Sequence, residues 1–546
     1  MDRTRERSSA ERVKEESRHL RGTILEELAL ETPNFSKETV QILKFHGIYQ
    51  QSDREARKAG VTDYSSMVRV GVPGGVLTAS QYLVMDCLAD EAGDGGLRIT
   101  TRQDVQFHRA KKADLRHLIS TLNRNLLSTL AACGDVVRNV TCCPAPHAGP
   151  VRAELQKRAL ELSRRLKPKT RAYYQIWVDG EKAISAESEE EPLYGAQYLP
   201  RKFKIGFAPP RDNCIDVYSN DIGIVPVCRG DVIEGFTLLA GGGLGMSPGA
   251  KATHPRLADP VCTVPPDLLE QAVEACVAIH RDYGNRNDRK LARLKYVLDD
   301  WGAERFRREL ESRLGTGLAS PAELEWNEGA DHLGWQWQDE TCFYLGLYVP
   351  SGRIRGALRE CLREIVSTFQ PGVRFTAQQN ILLTDIPSGR RADIERVLRK
   401  FDVRLPSQLL PVVREALACP ALPTCGLAIT EAERVLPEVL ADLERTLGEA
   451  GLRELPLAVR ITGCPNGCAR PYTAEIGIVG QSVNLYSIYL GGSHLGLRLG
   501  TVFADRVPRD RIGATLRPIF LMFRERANPG ERFGDFCHRT LNGARP

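Results

Sequence analysis

The sequence predicts an α+β fold built from two related halves, and three observations support this prediction. First, the motif at residues 72–77 (VPGGVL) returns in related form at residues 349–354 (VPSGRI). Second, each copy leads through a helix-like stretch to another shared motif, whose arginine follows the proline of the first motif by 25 residues in one copy and 24 in the other. Third, β-rich motifs alternate with amphipathic helical patterns, as at residues 152–165 and 266–280. A repeat of this kind predicts a pseudo-symmetric architecture.

A second pair of related motifs extends the repeat. The motif DIGIV precedes the glycine-rich residues 241–245, and the motif EIGIV precedes the glycine-rich residues 491–496. The chain is therefore expected to divide into related halves at roughly residues 60–330 and 331–546. Because ligand sites favour the interfaces between domains, we expect a site where the two halves meet.

The composition excludes several classes of protein. The chain has 546 residues, of which 42% are hydrophobic and 26% charged, and this length suggests roughly three or four globular domains. The formal net charge is +5, from 74 Lys and Arg against 69 Asp and Glu. That charge is too small to predict nucleic-acid binding, but it is compatible with an acidic protein partner or anionic ligands.

The sequence also lacks the signals of a membrane or exported protein. No stretch of about 18 apolar residues predicts a transmembrane helix. The charged N-terminus has no apolar segment of the kind found in secretory signals, so we expect a cytoplasmic protein without membrane attachment. Because thiols stay reduced in the cytoplasm, the 15 cysteines favour a metal or cluster site over a disulfide framework.

Four cysteines near the C-terminus form two closely spaced pairs. Cys419 and Cys425 have five residues between them, and Cys464 and Cys468 have three. Four thiolates from two short loops can hold a cubane cluster. Structural zinc is an alternative, although the chain contains no Cys-x2-Cys pair, and four unrelated buried cysteines are another. The remaining eleven cysteines, which include the adjacent Cys142 and Cys143, are expected to be small buried hydrophobic side chains.

The cysteine pairs lie within motifs that resemble those of the sulfite and nitrite reductase hemoproteins. The resemblance includes residues 462–470 (TGCPNGCAR) and extends from about residue 10 to 540. It implies a sirohaem coupled to a [4Fe-4S] cluster held by the four cysteines, with Cys468 bridging the cluster to the sirohaem iron. The other similar motifs are KFHGIYQQ at 44–51, TTRQ at 100–103, RNV at 138–140, LPRKFK at 199–204, GNRNDRK at 284–290 and FGDF at 533–536.

The resemblance also implies a domain organisation of three α/β domains with the cofactors at their junction. It predicts an N-terminal arm at 1–60 and a ferredoxin-like repeat domain formed by 61–130 together with 331–405. A central sirohaem and substrate domain would span 131–330, and a C-terminal cluster and sirohaem domain 406–546.

By the same motifs, the residues expected around an oxyanion substrate are Arg102, Arg138, Lys202 and Lys204. The physical reason is independent of the resemblance, because an anion that enters a low-dielectric pocket needs compensating charge. Arginine offers a rigid fork to oxyanion oxygens, and lysine can also relay protons when its pKa is lowered. An isolated Arg or Lys is otherwise most often a solvated surface charge.

The basic run after Gly284 gives a less specific prediction. Arg286, Arg289 and Lys290 are proposed to contact sirohaem carboxylates, and an ordinary charged helix face is an equally weighted alternative.

The resemblance implies that the reaction is the six-electron reduction of sulfite to sulfide for cysteine biosynthesis. Nitrite reductases of the family typically have Asn at the position of Lys204, so the sequence is closer to the sulfite reductases, with nitrite reduction to ammonia as the alternative. The electron donor is expected to be a separate NADPH-oxidising flavoprotein or a ferredoxin. A radical S-adenosylmethionine enzyme is excluded, because Pro471 replaces the third cysteine that its motif needs. A zinc-stabilised scaffold is the alternative without catalysis.

Overall fold

The computed structural model describes residues 7–146, 149–169, 176–178, 181–184, 191–329 and 331–542. Within these ranges, no helix combines the length and the apolar character needed to cross a membrane. The helices of the described residues are α1 (Ser9–Glu15), α2 (Ile24–Leu28), α3 (Lys37–Leu43), α4 (Arg54–Lys58), α5 (Ala79–Ala92), α6 (Leu115–Arg124), α7 (Pro150–Arg165), α8 (Leu269–Tyr283), α9 (Leu294–Leu314), α10 (Gly356–Phe369), α11 (Arg391–Lys400), α12 (Pro411–Arg414), α13 (Leu436–Glu449), α14 (Ile512–Arg526) and α15 (Phe533–Asn542).

The strands of the described residues fall into four five-stranded sheets and two small two-stranded ones. They are β1 (Ile48–Ser52), β2 (Tyr64–Val70), β3 (Val76–Leu77), β4 (Leu97–Ile99), β5 (Val105–Ala110), β6 (Thr141–Cys142), β7 (Ile176–Val178), β8 (Glu181–Ile184), β9 (Ile205–Phe207), β10 (Arg211–Asp212), β11 (Ile222–Arg229), β12 (Val232–Ala240), β13 (Asp259–Val264), β14 (Trp326–Glu328), β15 (Gly334–Trp337), β16 (Cys342–Leu347), β17 (Arg353–Ile354), β18 (Gly372–Phe375), β19 (Ile381–Pro387), β20 (Leu417–Ala418), β21 (Val459–Thr462), β22 (Ile476–Ser482), β23 (Leu485–Leu490) and β24 (Thr501–Pro508).

The predicted repeat is visible as two interlocked sheets that exchange strands. One sheet has the order β1-β2-β5-β4-β17 and the other β15-β16-β19-β18-β3. The short strand β17 of the second copy therefore pairs with β4 of the first, and β3 of the first pairs with β18 of the second. One hydrophobic core runs through both sheets and the helices α5 and α10. Because each copy completes the sheet of the other, the two copies form one folding unit.

The pseudo-symmetry extends to individual side chains. Gln103 donates a hydrogen bond to the carbonyl of Phe375, at 2.9 Å, and Gln379 donates to the carbonyl of Ile99, at 3.0 Å. Both glutamines have a positive φ, near 60°. Matching backbone conformations and reciprocal hydrogen bonds support descent of the two halves from one repeated unit.

The third and fourth sheets repeat a common pattern as well. The third has the order β13-β12-β11-β9-β6 and the fourth β20-β21-β22-β23-β24. In each, a DIGIV-type or EIGIV-type strand pairs in parallel with one neighbour and in antiparallel with the next. After each hairpin, a glycine packs directly against a backbone carbonyl. A Cβ at this position would lie only 2.2 Å from the carbonyl oxygen for Gly242 and 2.1 Å for Gly492, so only glycine fits. The predicted helical patterns at 152–165 and 266–280 form α7 and α8, whose apolar faces pack on the third sheet.

The N-terminal segment is anchored by buried charges. Glu11 and Lys14 of α1 are only 1% and 3% exposed. The Lys14 ammonium donates to Glu11 and to the carbonyl of Leu199 (2.7 Å). It also lies 3.8 Å from Asp135, which accepts two hydrogen bonds from Arg289. Strand β1 pairs with β2, so residues 48–52 belong to the first repeat sheet rather than to the arm.

Asp135→Asn should destabilise the fold by about 3–5 kcal/mol, because it leaves Lys14 and Arg289 without their shared buried counter-charge. Burial alone would raise the pKa of Asp135, but Arg289, Lys14 and Arg201 outweigh it and lower the pKa to about 2. The carboxylate therefore stabilises the fold above the ordinary value of 3.8, and this contribution is lost as the pH falls through about 2.

Urea unfolding at neutral pH and at about pH 3 measures the effect of the Asp135 substitution. Asp393→Asn is the control, since Asp393 makes only exposed ion pairs with Arg390 and Arg396, and it should change the unfolding free energy by less than about 0.5 kcal/mol. An equally small effect of Asp135→Asn would show that the buried network does not hold the arm.

Candidate active site

Two adjacent parallel strands bring the four C-terminal cysteines together. Strand β20 leads directly into Cys419, and β21 leads through Gly463 into Cys464. Since β20 and β21 pair in parallel, their C-terminal ends meet at one edge of the sheet, and the backbone N–H of Cys419 donates to Ile461 at 3.3 Å. Cys419 and Cys464 are buried, Cys425 is half-buried and Cys468 is exposed.

The sulfur atoms lie among hydrogen-bond donors and influence one another. The backbone N–H of Gly463 donates to Cys419 Sγ and the Asn466 amide donates to Cys464 Sγ, both at 3.4 Å. Burial raises the pKa of Cys419 and Cys464, and the nearby Cys468 raises both further. A positively charged metal centre reverses this by favouring thiolates.

The four cysteines can contribute ligands to one metal centre, since β20 and β21 end side by side. Four thiolates are the donor set of an iron–sulfur cubane and also of some structural zinc sites.

Two lysines interact electrostatically with Cys468, one of the four cysteines. Lys202 and Lys204 lie just before β9, and the backbone N–H of Lys204 donates to Asp221 at 2.8 Å. Burial, followed by Arg293 and Arg102, lowers the pKa of Lys204 to about 7, while Cys468 acts in the opposite direction. Burial and the neighbouring cations lower the pKa of Lys202 well below its ordinary value. The side-chain nitrogens of both lysines are therefore within electrostatic range of Cys468.

Arg138 is nearly buried, at 8% exposed. Its guanidinium donates to the carbonyls of Gly134 (2.8 Å) and Ala132 (3.2 Å), and its backbone N–H donates to Phe203. Burial raises the pKa of Tyr49, and the positive charge of Arg138 opposes that rise. These hydrogen bonds fix the guanidinium in place, and a contact between Arg138 and an anion stays a prediction.

Arg102 is held by several protein acceptors. Its guanidinium donates to the Asn220 side chain (2.9 Å) and to the carbonyls of Asn139 and Ile205. Its Nε is buried and has no hydrogen-bond partner in the described structure. Burial lowers the pKa of Arg102 to about 10, so the group remains charged at neutral pH. A direct contact between Arg102 and an anion stays a prediction.

The structure adds Arg69 to the cations of the site. Its half-buried guanidinium lies at the end of β2, where Cys133, Asp104, Tyr49 and Cys468 outweigh burial and raise its pKa. Its Nε is buried without a hydrogen-bond partner in the described chain. In the sequence, Arg69 could have been noticed as a difference between the two repeats. Arg69 precedes the first Val-Pro motif, and Gly346 occupies the corresponding position before the second.

Family models and related proteins match most of this chain. The model described as "Nitrite/Sulfite reductase ferredoxin-like half domain" matches residues 59–125 and 336–401, and "Nitrite and sulphite reductase 4Fe-4S domain" matches residues 161–318. The chain is 43% identical to the sulfite reductase (ferredoxin) of Synechococcus elongatus, over 98% of this chain and 89% of the relative. It is also 43% identical to the sulfite reductase (NADPH) hemoprotein beta-component of Myxococcus xanthus, over 98% and 96%.

The likeness extends to a solved structure. The Mycobacterium tuberculosis NirA protein superposes with a TM-score of 0.81 at 25% identity, over 98% of this chain and 97% of that one. The chain belongs to the nitrite and sulphite reductase family. The 4Fe-4S model of this family matches residues 161–318, which contain β9 to β13 of the third sheet. The four cysteines lie instead at the related fourth sheet, where the repeat predicts an equivalent unit.

Two of the three basic residues that were predicted to contact sirohaem carboxylates form hydrogen bonds within the protein. Arg286 donates to Glu11 and to the carbonyl of Tyr198 (2.7 Å), and Arg289 forms the two bonds to Asp135. Lys290 is exposed. Contacts of these three residues with a sirohaem stay predictions, and the structure gives Arg286 and Arg289 a role in fixing the N-terminal arm.

Arg69→Gln should raise the KM for the anionic substrate roughly 10- to 100-fold, because a hydrogen bond to a charged group contributes about 1.5–3 kcal/mol. Steady-state kinetics, together with the visible spectrum, separates this effect from loss of cofactor. Arg109→Gln is the control, since Arg109 is 56% exposed on the neighbouring strand β5. An unchanged KM in Arg69→Gln would remove Arg69 from the substrate site.

Proposed function

We propose that this chain is an assimilatory sulfite reductase hemoprotein, which reduces sulfite to sulfide with six electrons at a sirohaem coupled to a [4Fe-4S] cluster. The observation that carries the proposal is that β20 and β21 end side by side and bring together four cysteines, one of which, Cys468, interacts electrostatically with Lys202, Lys204 and Arg69. A thiolate-bound redox centre with cations near it suits the reduction of an oxyanion.

The donor set fits the two cofactors. Cys419, Cys425, Cys464 and Cys468 would hold the cluster, and the exposed Cys468 is the one that can also reach a tetrapyrrole iron. The N–H groups at the Cys419 and Cys464 sulfurs are of the kind that tunes cluster potentials. When bound, the two cofactors supply the electrons and the metal site for the reduction.

The chain's own residues bind the anion and supply protons. Reduction of one sulfite dianion to hydrogen sulfide consumes six electrons and eight protons and releases three waters. Arg69 and Arg138 would orient the oxygens, since a guanidinium offers a rigid fork of donors. Lys204, with a pKa of about 7, can both hold a proton for the leaving oxygen and regain one from solvent.

The charge of the site favours sulfite over nitrite. Lys204 occupies the position where nitrite reductases of this family typically carry Asn. Sulfite bears up to two negative charges and nitrite one, so an additional cation gains more Coulombic energy with sulfite. Support also comes from the relatives, whose names all specify sulfite reductase with either a ferredoxin or NADPH as donor.

Electrons would come from a separate protein, either a ferredoxin or an NADPH-oxidising flavoprotein. The sequence contains no Gly-x-Gly-x-x-Gly motif after a strand that would indicate a nicotinamide domain of its own. We place the reaction in the cytoplasm, since none of the 15 cysteines, all within the described residues, forms a disulfide, as is usual in a reducing compartment.

Anaerobic turnover of the purified, coloured protein tests the proposal. Sulfite is supplied with either reduced ferredoxin or NADPH plus flavoprotein, and sulfide is measured. Sulfide formation with one donor, at a kcat/KM above that for nitrite, is expected. A colourless zinc protein, or ammonia from nitrite without sulfide from sulfite, would overturn the assignment.

A further inference from the structure

A second group of metal-binding side chains lies apart from the cluster cysteines. Cys143, Asp212, Cys214 and His332 place one potential ligand atom each so that all four atoms lie within 4.8 Å of one another. All four residues are between 1% and 3% exposed. None of them belongs to the substrate site or to the cysteine pairs at 419–425 and 464–468.

The distances between the ligand atoms of this group match the tetrahedral coordination of one metal ion. Cys143 Sγ lies 3.4 Å from His332 Nε2 and 3.6 Å from Asp212 Oδ2, and the two latter atoms are 3.4 Å apart. Zinc bonds of about 2.3 Å to sulfur and 2.0–2.1 Å to nitrogen or oxygen give tetrahedral edges of about 3.3–3.8 Å. The three measured edges therefore fall in the range that one zinc ion imposes.

The surroundings orient the ligands and balance their charge. Asp212 Oδ1 accepts the backbone N–H of Cys214 at 3.0 Å, which turns Oδ2 toward the group. The Arg152 guanidinium of α7 donates to both Cys143 Sγ and Asp212 Oδ2. Two thiolates and a carboxylate carry three negative charges, and a divalent ion with Arg152 carries three positive ones. With the ion bound, the formal charges of the site therefore sum to zero.

The group lies in an apolar environment. Side chains such as Ala145, Ala208, Ile215 and Leu239 pack with the two cysteines in one buried cluster. Buried ionisable groups are normally paired or bound to metal, since burial without compensation is unfavourable. Two sulfurs, one imidazole and one carboxylate in tetrahedral arrangement are a donor set that favours zinc.

We propose that Cys143, Asp212, Cys214 and His332 form a structural zinc site that clamps the junction of the two halves. Cys143 follows β6, Asp212 lies in β10, and His332 lies at the start of the second half, just before β15. One ion thus ties together the third sheet, the small β10–β14 sheet and the second repeat sheet. All four coordination positions are taken by protein, as in structural rather than catalytic zinc sites.

Zinc analysis of the untagged holoenzyme tests the site. We expect about one tightly held zinc per chain, with a zinc K-edge absorption spectrum showing two sulfurs at about 2.3 Å and two nitrogen or oxygen atoms at about 2.0 Å. The zinc edge is separate from that of iron, so the cofactors do not interfere. Cys214→Ala and His332→Ala should lose most of the zinc, whereas Cys262→Ala, at a buried cysteine in another core cluster, should keep it.

Several results would overturn the site. They are absence of stoichiometric zinc from the iron-loaded wild type, a zinc shell of four sulfurs, zinc retention in both ligand variants, or a disulfide between Cys143 and Cys214 in non-reducing mass spectrometry. The wild-type spectrum decides the matter even if a variant fails to fold. Iron content and sulfite turnover are measured independently, so failure of the zinc site is distinguishable from failure of the proposed function.

Discussion

Cys468→Ser should lower sulfite turnover by more than about 100-fold, since even the loss of a group that only supports a metal ligand costs about 10- to 100-fold. Cys468 is the exposed member of the four cysteines and the one on which the cations act. We propose that its sulfur serves both the cluster and the sirohaem iron, so its replacement removes a cluster ligand and the direct electronic path between the two centres. Sulfide production and the visible spectrum measure the loss.

Cys537→Ser is the matched control for Cys468. Cys537 lies in α15 of the same region and is buried in its hydrophobic core. This variant should keep its colour and its turnover per bound cofactor. Normal sulfite turnover in Cys468→Ser would refute the bridging role.

Lys204→Asn should reduce kcat/KM for sulfite roughly 10- to 100-fold, the effect expected when a hydrogen bond to a charged group is lost. The loss should be smaller for nitrite, so the ratio of sulfite to nitrite turnover should fall. The physical reason is that Lys204 lies among Lys202, Arg102 and Arg293, where removal of one positive charge affects a dianion more than a monoanion.

Competition kinetics with both anions measures this selectivity. Lys251→Asn is the control, because Lys251 is an exposed lysine in the loop after β12. If Lys204→Asn leaves the ratio of the two turnovers unchanged, Lys204 does not select the substrate.

The repeat was predictable from the sequence because a duplicated fold keeps the residues that its backbone needs. The Val-Pro motifs, and glutamines at positive φ such as Gln103 and Gln379, are requirements of backbone conformation and reciprocal hydrogen bonding. The exchange of β3 and β17 between sheets was not predicted. A two-residue strand carries no signal of its partner, which tertiary packing decides.

The site was predictable where its residues are close in sequence. The cysteine pairs and the Lys-x-Lys motif lie within short segments that carry their own signal. Arg69 was missed because a single arginine on a strand resembles a surface charge until the fold brings it toward Cys468. The Cys143 group was missed for the same reason, since its ligands come from separate parts of the chain and meet only in the folded protein.

The composition of the N-terminal segment did not predict that its charged side chains are buried. Glu11 and Lys14 lie in the predicted N-terminal arm, and both are buried because they compensate one another and the Asp135 network. Burial of charge depends on the partner, and the partner is distant in sequence.

The central claim is that four cysteines hold a cubane cluster whose Cys468 sulfur is shared with a sirohaem iron. The Mössbauer spectrum of the fully loaded protein, enriched in iron-57, tests it most directly. A shared thiolate should couple the two centres magnetically, so the unpaired spin of the haem iron should split the lines of the cluster irons as well. Two magnetically independent iron spectra, or a protein without cluster iron, would contradict the account.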